Sequence, residues 1–462
     1  MPLFDTPRFV KGIEAAYEQM WNRYQAGLKP QEFAVVENES NIGDLQMDAL
    51  PVAQVSNFEA AFQKSYQTAT QHFYQGQFEQ ALSSALDMQK LAPDNSLGFL
   101  CAGIACIHLA RYGEAKKNYQ TLYERGVRDV AILDGLAHAC FELGEMDNCT
   151  RFGLAALEMK DRSVQVVDVS FPPRRSFSPT TPEKNIIAFS LYGDNSKYCE
   201  TAYLNVQIQQ SCFPSWTCRF YVDESVPMEI KQRLQQAGAQ VIEVSEEQKR
   251  RLPGTMWRFL AIDDPSVDFI LFRDSDSLIS KREFEAVQEW LDSPYYFHMM
   301  RDYGSHTELI LAGMWGMAKG ALSSQYEKMC DYVQKAPHPT HVDQNYLREH
   351  VWAIMRHSLL QHDRCFGFLN AHPFKSNAIG SEHIGDDLAN QPIVVSTEAS
   401  DGVLIDWVVQ EAATNALVCH YRSICTKGKL KLYLPKPYIG KIQKGIWKIN
   451  FASSVNKNAS ET

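Results

Sequence analysis

The chain has 462 residues, 45% of them apolar and 22% charged, with a formal net charge of −10. That length exceeds a single hydrophobic core and fits two or three domains of roughly 100 to 200 residues each. The composition excludes a largely disordered or collagen-like chain. The eleven cysteines are odd in number and form no CxxC pair, which argues against a disulfide framework or a structural zinc site and points to a reducing compartment. The chain has no run of about 18 apolar residues, and its opening, MPLFDTPRFVKG, lacks a basic leader followed by an apolar stretch. A cytoplasmic protein is therefore expected. Residues 412–462 carry nine basic groups against Glu461, so the rest of the chain holds −18. Its body is not expected to bind nucleic acid.

Residues 8–27 place Phe9, Ile13, Tyr17, Met20 and Tyr24 at helical spacing, and 36–54 are polar and mixed, so 1–57 read as a helix and a linker. From 65 to 153 the small and apolar positions recur every 34 residues. Ala69, Gly103 and Ala137 form one series, Phe78, Tyr112 and Met146 a second, and Ala81, Ala115 and Cys149 a third. Gly76, Ala110 and Gly144 stand between the two helices of each unit. Paired antiparallel helices need a small residue where backbones approach, a turn residue between them, and a larger apolar residue opening the second helix. On these positions, 58–165 resemble tetratricopeptide repeats. The resemblance implies either a surface for a protein partner or self-association, or a scaffold packed on the rest of the chain. SFPPRRSFSPTTPEKN (170–185), with four prolines, reads as a connector between domains.

From Asn185 short apolar runs alternate with helical stretches: NIIAFSLYGD, YCETAYLNVQIQQ, CRFYVDE, EIKQRLQQAG and AQVIEV. This order is β-α-β-α-β and predicts an α/β domain with a mainly parallel sheet, whose ligands sit at the carboxyl ends of its strands. A helix, GTMWRFLAIDD, precedes the apolar strand DFILF, which runs into Arg273, Asp274, Ser275, Asp276 and Ser277. Where the chain leaves the sheet, two carboxylates one residue apart can converge on a hard divalent cation and its phosphates. Helix capping or pairing with Arg273 would also account for these aspartates. A phosphatase of the haloacid-dehalogenase type also carries Asp-x-Asp after an apolar strand, with Gly385-Asp386-Asp387 as a second acidic cluster. Against it, the motif follows three earlier strands, and the later acids follow SEHI, which is no buried strand.

With FSLYGD, the arginine-bearing WRFL and Asp-x-Asp in this order, 184–395 resemble the GT-A glycosyltransferases, in the branch of glycogenin and the lipopolysaccharide galactosyltransferases. The resemblance implies a Rossmann-like, mainly parallel mixed sheet that transfers a sugar from a nucleotide-diphosphate donor. It implies donor contacts from Ser190, Tyr192, Gly193, Arg258, Arg273, Asp274, Ser275 and Gly313, the last in a glycine-containing acceptor strand. It also implies a Mn2+ or Mg2+ ion held by Asp274, Asp276 and His362, with His372 as the second candidate histidine. Asp302, Asp343 and Gln344 are the residues expected to orient the sugar or stabilise its cationic transition state, with retention of configuration and a glycan, lipid-linked or protein acceptor. A capping aspartate alone would explain Asp343, which opens the predicted helix DQNYLREHVWAI. An interaction scaffold with an inactive α/β domain is the alternative.

The basic segment 396–462 includes KGKLKLYLPKPYIGKIQKGIWK (427–448), where seven lysines alternate with leucines and isoleucines. It either lies on an anionic membrane surface or packs its apolar residues on the domain while the lysines reach water. Pro435, Pro437 and Gly440 interrupt a continuous amphipathic helix and favour packing.

Overall fold

The computed structural model describes residues 52–335, 341–378, 382–389 and 391–451. The expected helix over 8–27 lies outside them. Contacts divide the chain into Met1–Ala60 and Ala61–Thr462. Of the first unit only the opening turns of helix α1 (Val52–Tyr74) are described.

The second unit begins with the rest of α1 and continues through α2 (Phe78–Leu91), α3 (Ser96–His108), α4 (Tyr112–Glu124), α5 (Val130–Glu142) and α6 (Met146–Ser163). The 34-residue series map onto equivalent places. Phe78, Tyr112 and Met146 each open the second helix of a pair. Ala69 and Ala137 are fully buried, and a Cβ on Gly103 would strike the ring of buried Tyr119. Gly76, Ala110 and Gly144 all turn the chain in the left-handed region, with φ of 67°, 55° and 74°. Two of the three are glycine, which pays no Cβ penalty there.

The stack packs on the α/β part. Thr150 Oγ donates to the Cys365 carbonyl at 2.6 Å, Trp352 Nε1 donates to Asp161 at 2.6 Å, and Phe141 meets Tyr303 edge-on at 4.7 Å. The proline-rich connector is no free tether. Its Arg174 donates to the Ser293 carbonyl at 2.6 Å, Phe171 stacks on Tyr296 at 5.0 Å, and Phe177 packs on Trp216 at 5.6 Å.

The α/β part runs β1 (Asn185–Leu191), α7 (Ser196–Cys212), β2 (Thr217–Val222), α8 (Met228–Gln236), β3 (Gln240–Glu243) and α9 (Glu246–Arg251). A 3-10 segment (Gly254–Asp263) then leads to β4 (Phe269–Arg273), α10 (Lys281–Leu291), β5 (Phe297–Arg301) and β6 (Trp315–Ala318). α11 (Gln325–Lys335), α12 (Val342–Tyr346), a π turn (Leu347–Val351), α13 (Trp352–Met355) and β7 (Leu359–Asp363) complete it. The sheet order is β3-β2-β1-β4-β6-β5-β7, parallel except for β6, which is antiparallel to β4 and β5. β1 and the strands around it are buried on both faces, as a covered parallel sheet requires. Successive connections run outward from β1 to β3 and then cross back to β4. The switch point, where such sheets form their crevice, therefore lies at the carboxyl ends of β1 and β4.

Two sequence expectations shift in the fold. GTMWRFLAIDD is a 3-10 segment rather than an α-helix. Leu311-Ala312-Gly313-Met314 forms a turn, and the strand begins after it at Trp315.

The C-terminal segment is folded structure that the sequence pattern did not reveal. β8 (Ile393–Ser396) pairs with β11 (Lys429–Leu432), and β9 (Leu404–Glu411) lies between β10 (Leu417–Ile424) and β12 (Trp447–Phe451). Along β11 the lysines are exposed while Leu430 and Leu432 are fully buried, and the helix α14 (Lys436–Gln443) buries Tyr438. Leu430, Leu432 and Leu434 of the lysine-rich segment are thus consumed by packing, while Ile446 stays 52% exposed. Buried Glu200 of α7 anchors it, accepting from both Arg233 amino groups at 2.7 and 3.0 Å and from the Tyr421 and Tyr438 hydroxyls at 2.6 and 2.8 Å. None of the described helices is long and apolar enough to cross a membrane.

Ala110 carries a side chain in a conformation its two equivalents meet with glycine. Ala110→Gly is expected to raise stability by about 1 kcal/mol, measured as a higher denaturation midpoint with an unchanged slope.

Candidate functional site

The strand end of β4 and the start of α12 meet through one arginine. Arg258, 4% exposed, projects from the 3-10 segment and donates through Nη1 to Asp274 Oδ1 and to the Arg273 carbonyl, and through Nη2 to Asp343 Oδ2 at 3.1 Å. Its backbone N–H donates to Ser190 Oγ at 2.9 Å, and Ser275 Oγ donates to the Ser190 carbonyl at 2.6 Å. Ser190 and Ser275 therefore lock the ends of β1 and β4 together at the switch point. Burial opposes the charge on Arg258, but Asp274 and Asp343 outweigh it and hold the guanidinium protonated. Burial, only partly offset by Arg258, pushes the Asp343 carboxyl above its usual range.

Asp274 remains 46% exposed, so it faces both Arg258 and solvent. Gly313 supplies the room, because a Cβ there would overlap Asp274 Oδ2. Tyr192, 45% exposed, follows β1 and meets Trp257 edge-on at 5.6 Å, and Gly193 turns the chain with φ of 79°. Gln344 sits half-buried beside Asp343 in α12. The helix carrying them passes through the π turn at Leu347–Val351, a device often found beside functional residues.

Asp276 faces a partner the sequence did not suggest. Lys197, near the N-terminus of α7, lies 3.4 Å from Asp276 Oδ2 and 2.5 Å from Asp387 Oδ2. Burial first, then the charges of Asp274 and Asp387, raise the Asp276 pKa against the opposing pull of Lys197. Asp386 and Asp387 lie between two turns, and Lys436 reaches Asp386 at 3.4 Å. These acids are paired by lysines, and no strand presents them as the phosphatase reading requires.

Three expected site residues are placed elsewhere. Arg273 points to the other face of its strand, as the alternation of side chains dictates. It is 2% exposed, donating from Nε to Glu283 at 2.7 Å and from Nη1 to the carbonyls of Phe272 and Trp315 at 2.7 and 3.1 Å. It holds α10 to the sheet and does not reach a donor. Asp302 is fully buried, accepting from Arg282 of α10 and from the Ile384 N–H at 2.9 Å, so it anchors a loop and presents no carboxylate to a sugar. His362 does not join Asp274 and Asp276. β7 stands three strands from β4, roughly 14 Å at the usual strand spacing. Burial pushes its imidazole down to about 4. Its neighbours are His298, Glu289 and His372.

Among the described residues, the two carboxylates at the switch point thus have no histidine completing a three-ligand group with them. Two carboxylates, with phosphates and water filling the remaining positions, still suit Mg2+ or Mn2+. Lys197 and Asp387 are the residues sequence reasoning missed. Their partnership spans 190 positions, and the only local signal was the acidic pair at 386–387.

No protein-family model matches the chain. Over 38 residues it is 53% identical to a probable UDP-N-acetylglucosamine–peptide N-acetylglucosaminyltransferase of Arabidopsis thaliana, a stretch that is 8% of this chain and 4% of that protein's length. Among solved structures, an O-GlcNAc transferase mutant of Thermobaculum terrenum overlaps 40% of this chain and 42% of its own at 11% identity, with a TM-score of 0.23. Glucosyl-3-phosphoglycerate synthase of Mycobacterium tuberculosis, solved with Mg2+ and uridine diphosphate, overlaps 47% of this chain and 79% of its own at 11% identity, with a TM-score of 0.24. A mannosyltransferase of S. cerevisiae with GDP overlaps 44% and 72% at 9% identity, with a TM-score of 0.19. These neighbours are glycosyltransferases, but scores this low fall short of a shared fold. The functional reading rests on the residues of the site.

Two stability outcomes follow from the placements. Glu283→Ala strands the Arg273 guanidinium in the core and is expected to cost about 3–5 kcal/mol, read as a large fall in the denaturation midpoint. Asp276 binds its proton more tightly folded than unfolded, so its contribution is present at low pH and is lost as pH rises from the ordinary carboxylate value through its raised one. Asp276→Asn should therefore flatten that decline and raise metal-free stability at neutral pH, measured as the melting temperature across a pH series.

Proposed function

We propose that this chain is a metal-dependent glycosyltransferase that moves a hexose from a nucleotide-diphosphate donor to a glycan, lipid-linked or protein acceptor. The observation that carries the reading is the half-exposed Asp274 at the sheet's switch point, backed by Gly313, clamped by Arg258 and flanked by Asp276. The catalytic part is assigned to 184–395, with 396–462 folded back on it as far as residue 451, and 58–165 to tetratricopeptide repeats that buttress it or hold a protein partner.

In this reading Tyr192 and Gly193 border the nucleotide, and Ser190 and Ser275 fix the strand ends that face it. Asp274 and Asp276 would hold Mg2+ or Mn2+, which when bound neutralises charge on a diphosphate leaving group. Arg258 aims a desolvated guanidinium at the same crevice. Its Nε is buried and has no hydrogen-bond partner among the described residues. Fixed donors of this kind stabilise charge as it develops, with no reorganisation at the moment of transfer. Asp343 and Gln344 then orient the donor sugar, and the resemblance to retaining enzymes supports retention.

One observation favours the alternative of a scaffold with an inactive α/β domain. Arg258 and Lys197 already neutralise Asp274 and Asp276 without a metal. Thermal melting of the full chain with Mn2+ or Mg2+ and uridine, guanosine or cytidine diphosphate separates the two. A metal-dependent rise with one nucleotide, absent in Asp276→Asn, supports transfer; no rise with any of them supports the scaffold. Once a donor is identified, Arg258→Lys is expected to lower kcat by about 100- to 1000-fold, measured by initial rates of sugar transfer.

A further inference from the structure

Away from the switch point, three side chains converge where nothing in the proposed reaction needs them. Glu289 on α10, His362 on β7 and His372 just beyond it bring one ligand atom each to within 4.8 Å of one another. His362 is 1% exposed, yet its Nε2 has no hydrogen-bond partner among the described residues and stands 3.7 Å from Glu289 Oε2. A buried ring nitrogen left without a partner is costly unless something fills the place. The ring is held from behind, because His362 Nδ1 lies 3.0 Å from His298 Nε2. With the proton on Nδ1 and donated to His298, the Nε2 lone pair points toward Glu289. That second contact is how ligating histidines are usually oriented.

We propose that Glu289, His362 and His372 form a site for a zinc-type divalent ion, separate from the carboxylate pair at Asp274 and Asp276. Two imidazoles and a carboxylate are nitrogen-oxygen donors that suit Zn2+ rather than Mg2+. Four-coordinate bonds near 2.0–2.1 Å place neighbouring ligand atoms roughly 3.3 Å apart. The pair at 3.7 Å nearly meets this spacing, and His372 Nδ1 lies 2.5 Å from Glu289 Oε1. His372 is 51% exposed and can swing to adjust, leaving the fourth position to water. Lys375 reaches Glu289 Oε2 at 3.2 Å, a contact that an arriving cation replaces. His372 also pairs with the strand, its N–H donating to the Gln361 carbonyl at 2.8 Å and its carbonyl accepting from Asp363 at 2.9 Å. An ion here fastens α10, β7 and the segment after it.

The test needs no sugar donor. The metal-free full chain is titrated with Zn2+, followed by melting temperature, and with Co2+, followed by its visible absorption. We expect saturable uptake of one ion with a four-coordinate Co2+ spectrum and a higher melting temperature, both unaffected by excess Mg2+. His372→Ala, at a half-exposed position, should lose the spectrum and the shift; Glu289→Gln, which keeps the side chain's shape, should do the same. Asp276→Asn should retain both, which separates this site from the donor site. The proposal is overturned if the parent takes up neither ion, or if His372→Ala and Glu289→Gln bind Co2+ as the parent does.

Discussion

A single desolvated guanidinium organises the candidate site. Arg258 has almost no contact with water, so its charge is tolerable only while Asp274 and Asp343 answer it. Those two carboxylates come from the end of β4 and the start of α12, 69 residues apart in sequence. The need to satisfy one buried cation therefore fixes the 3-10 segment, the strand exit and the helix start relative to one another. Ser190 and Ser275 extend the constraint to β1 through hydrogen bonds that involve no charge.

The alternation of a β-strand then sorts the acidic and basic groups into two layers. Arg273, the last residue of β4, turns into the helix layer and pairs with Glu283, whereas Asp274, beyond the strand, is free to face the crevice. Asp302, just beyond β5, and His362, near the end of β7, turn toward α10 as well. Helix α10 thus collects Arg273, Asp302 and His362 through Glu283, Arg282 and Glu289 in turn. An oxygen-rich crevice thus lies at the switch point, and a cluster of two imidazoles and a carboxylate near the β7 edge.

The helical stack docks on the same part of the chain. Its last helices lie against the loops after β5 and β7, and Lys160 of α6, 7% exposed, pairs with Asp134 at 3.0 Å and donates to the Thr307 carbonyl at 2.9 Å. The connector packs on Trp216 and Tyr296, just before β2 and β5, and the C-terminal part docks on α7 through Glu200. The exposed lysines of β11 are the outward half of an alternating strand, a placement that packing alone explains.

Local patterns were enough for the elements and for the repeat. Apolar runs bounded by turn residues marked β1 to β4, and the 34-residue spacing of small and turn residues marked α1 to α6 down to the left-handed positions at Gly76, Ala110 and Gly144. Asp274 and Asp343 lie beside element boundaries whose signal is local, whereas Arg258 and Gly313 were picked out by resemblance; that the four meet is decided by the fold. What the sequence could not decide was which side of the sheet a boundary residue faces, and which strands are neighbours. His362 was expected beside Asp274, but the insertion of β6 and β5 between β4 and β7 carries it away, and strand order is set by long-range pairing that leaves no mark in a short window. Lys197 meeting Asp276 and Asp387, and His372 meeting Glu289, depend on the same packing: charge and ligand partners are chosen by the folded sheet, while periodicity records only which residues must be buried.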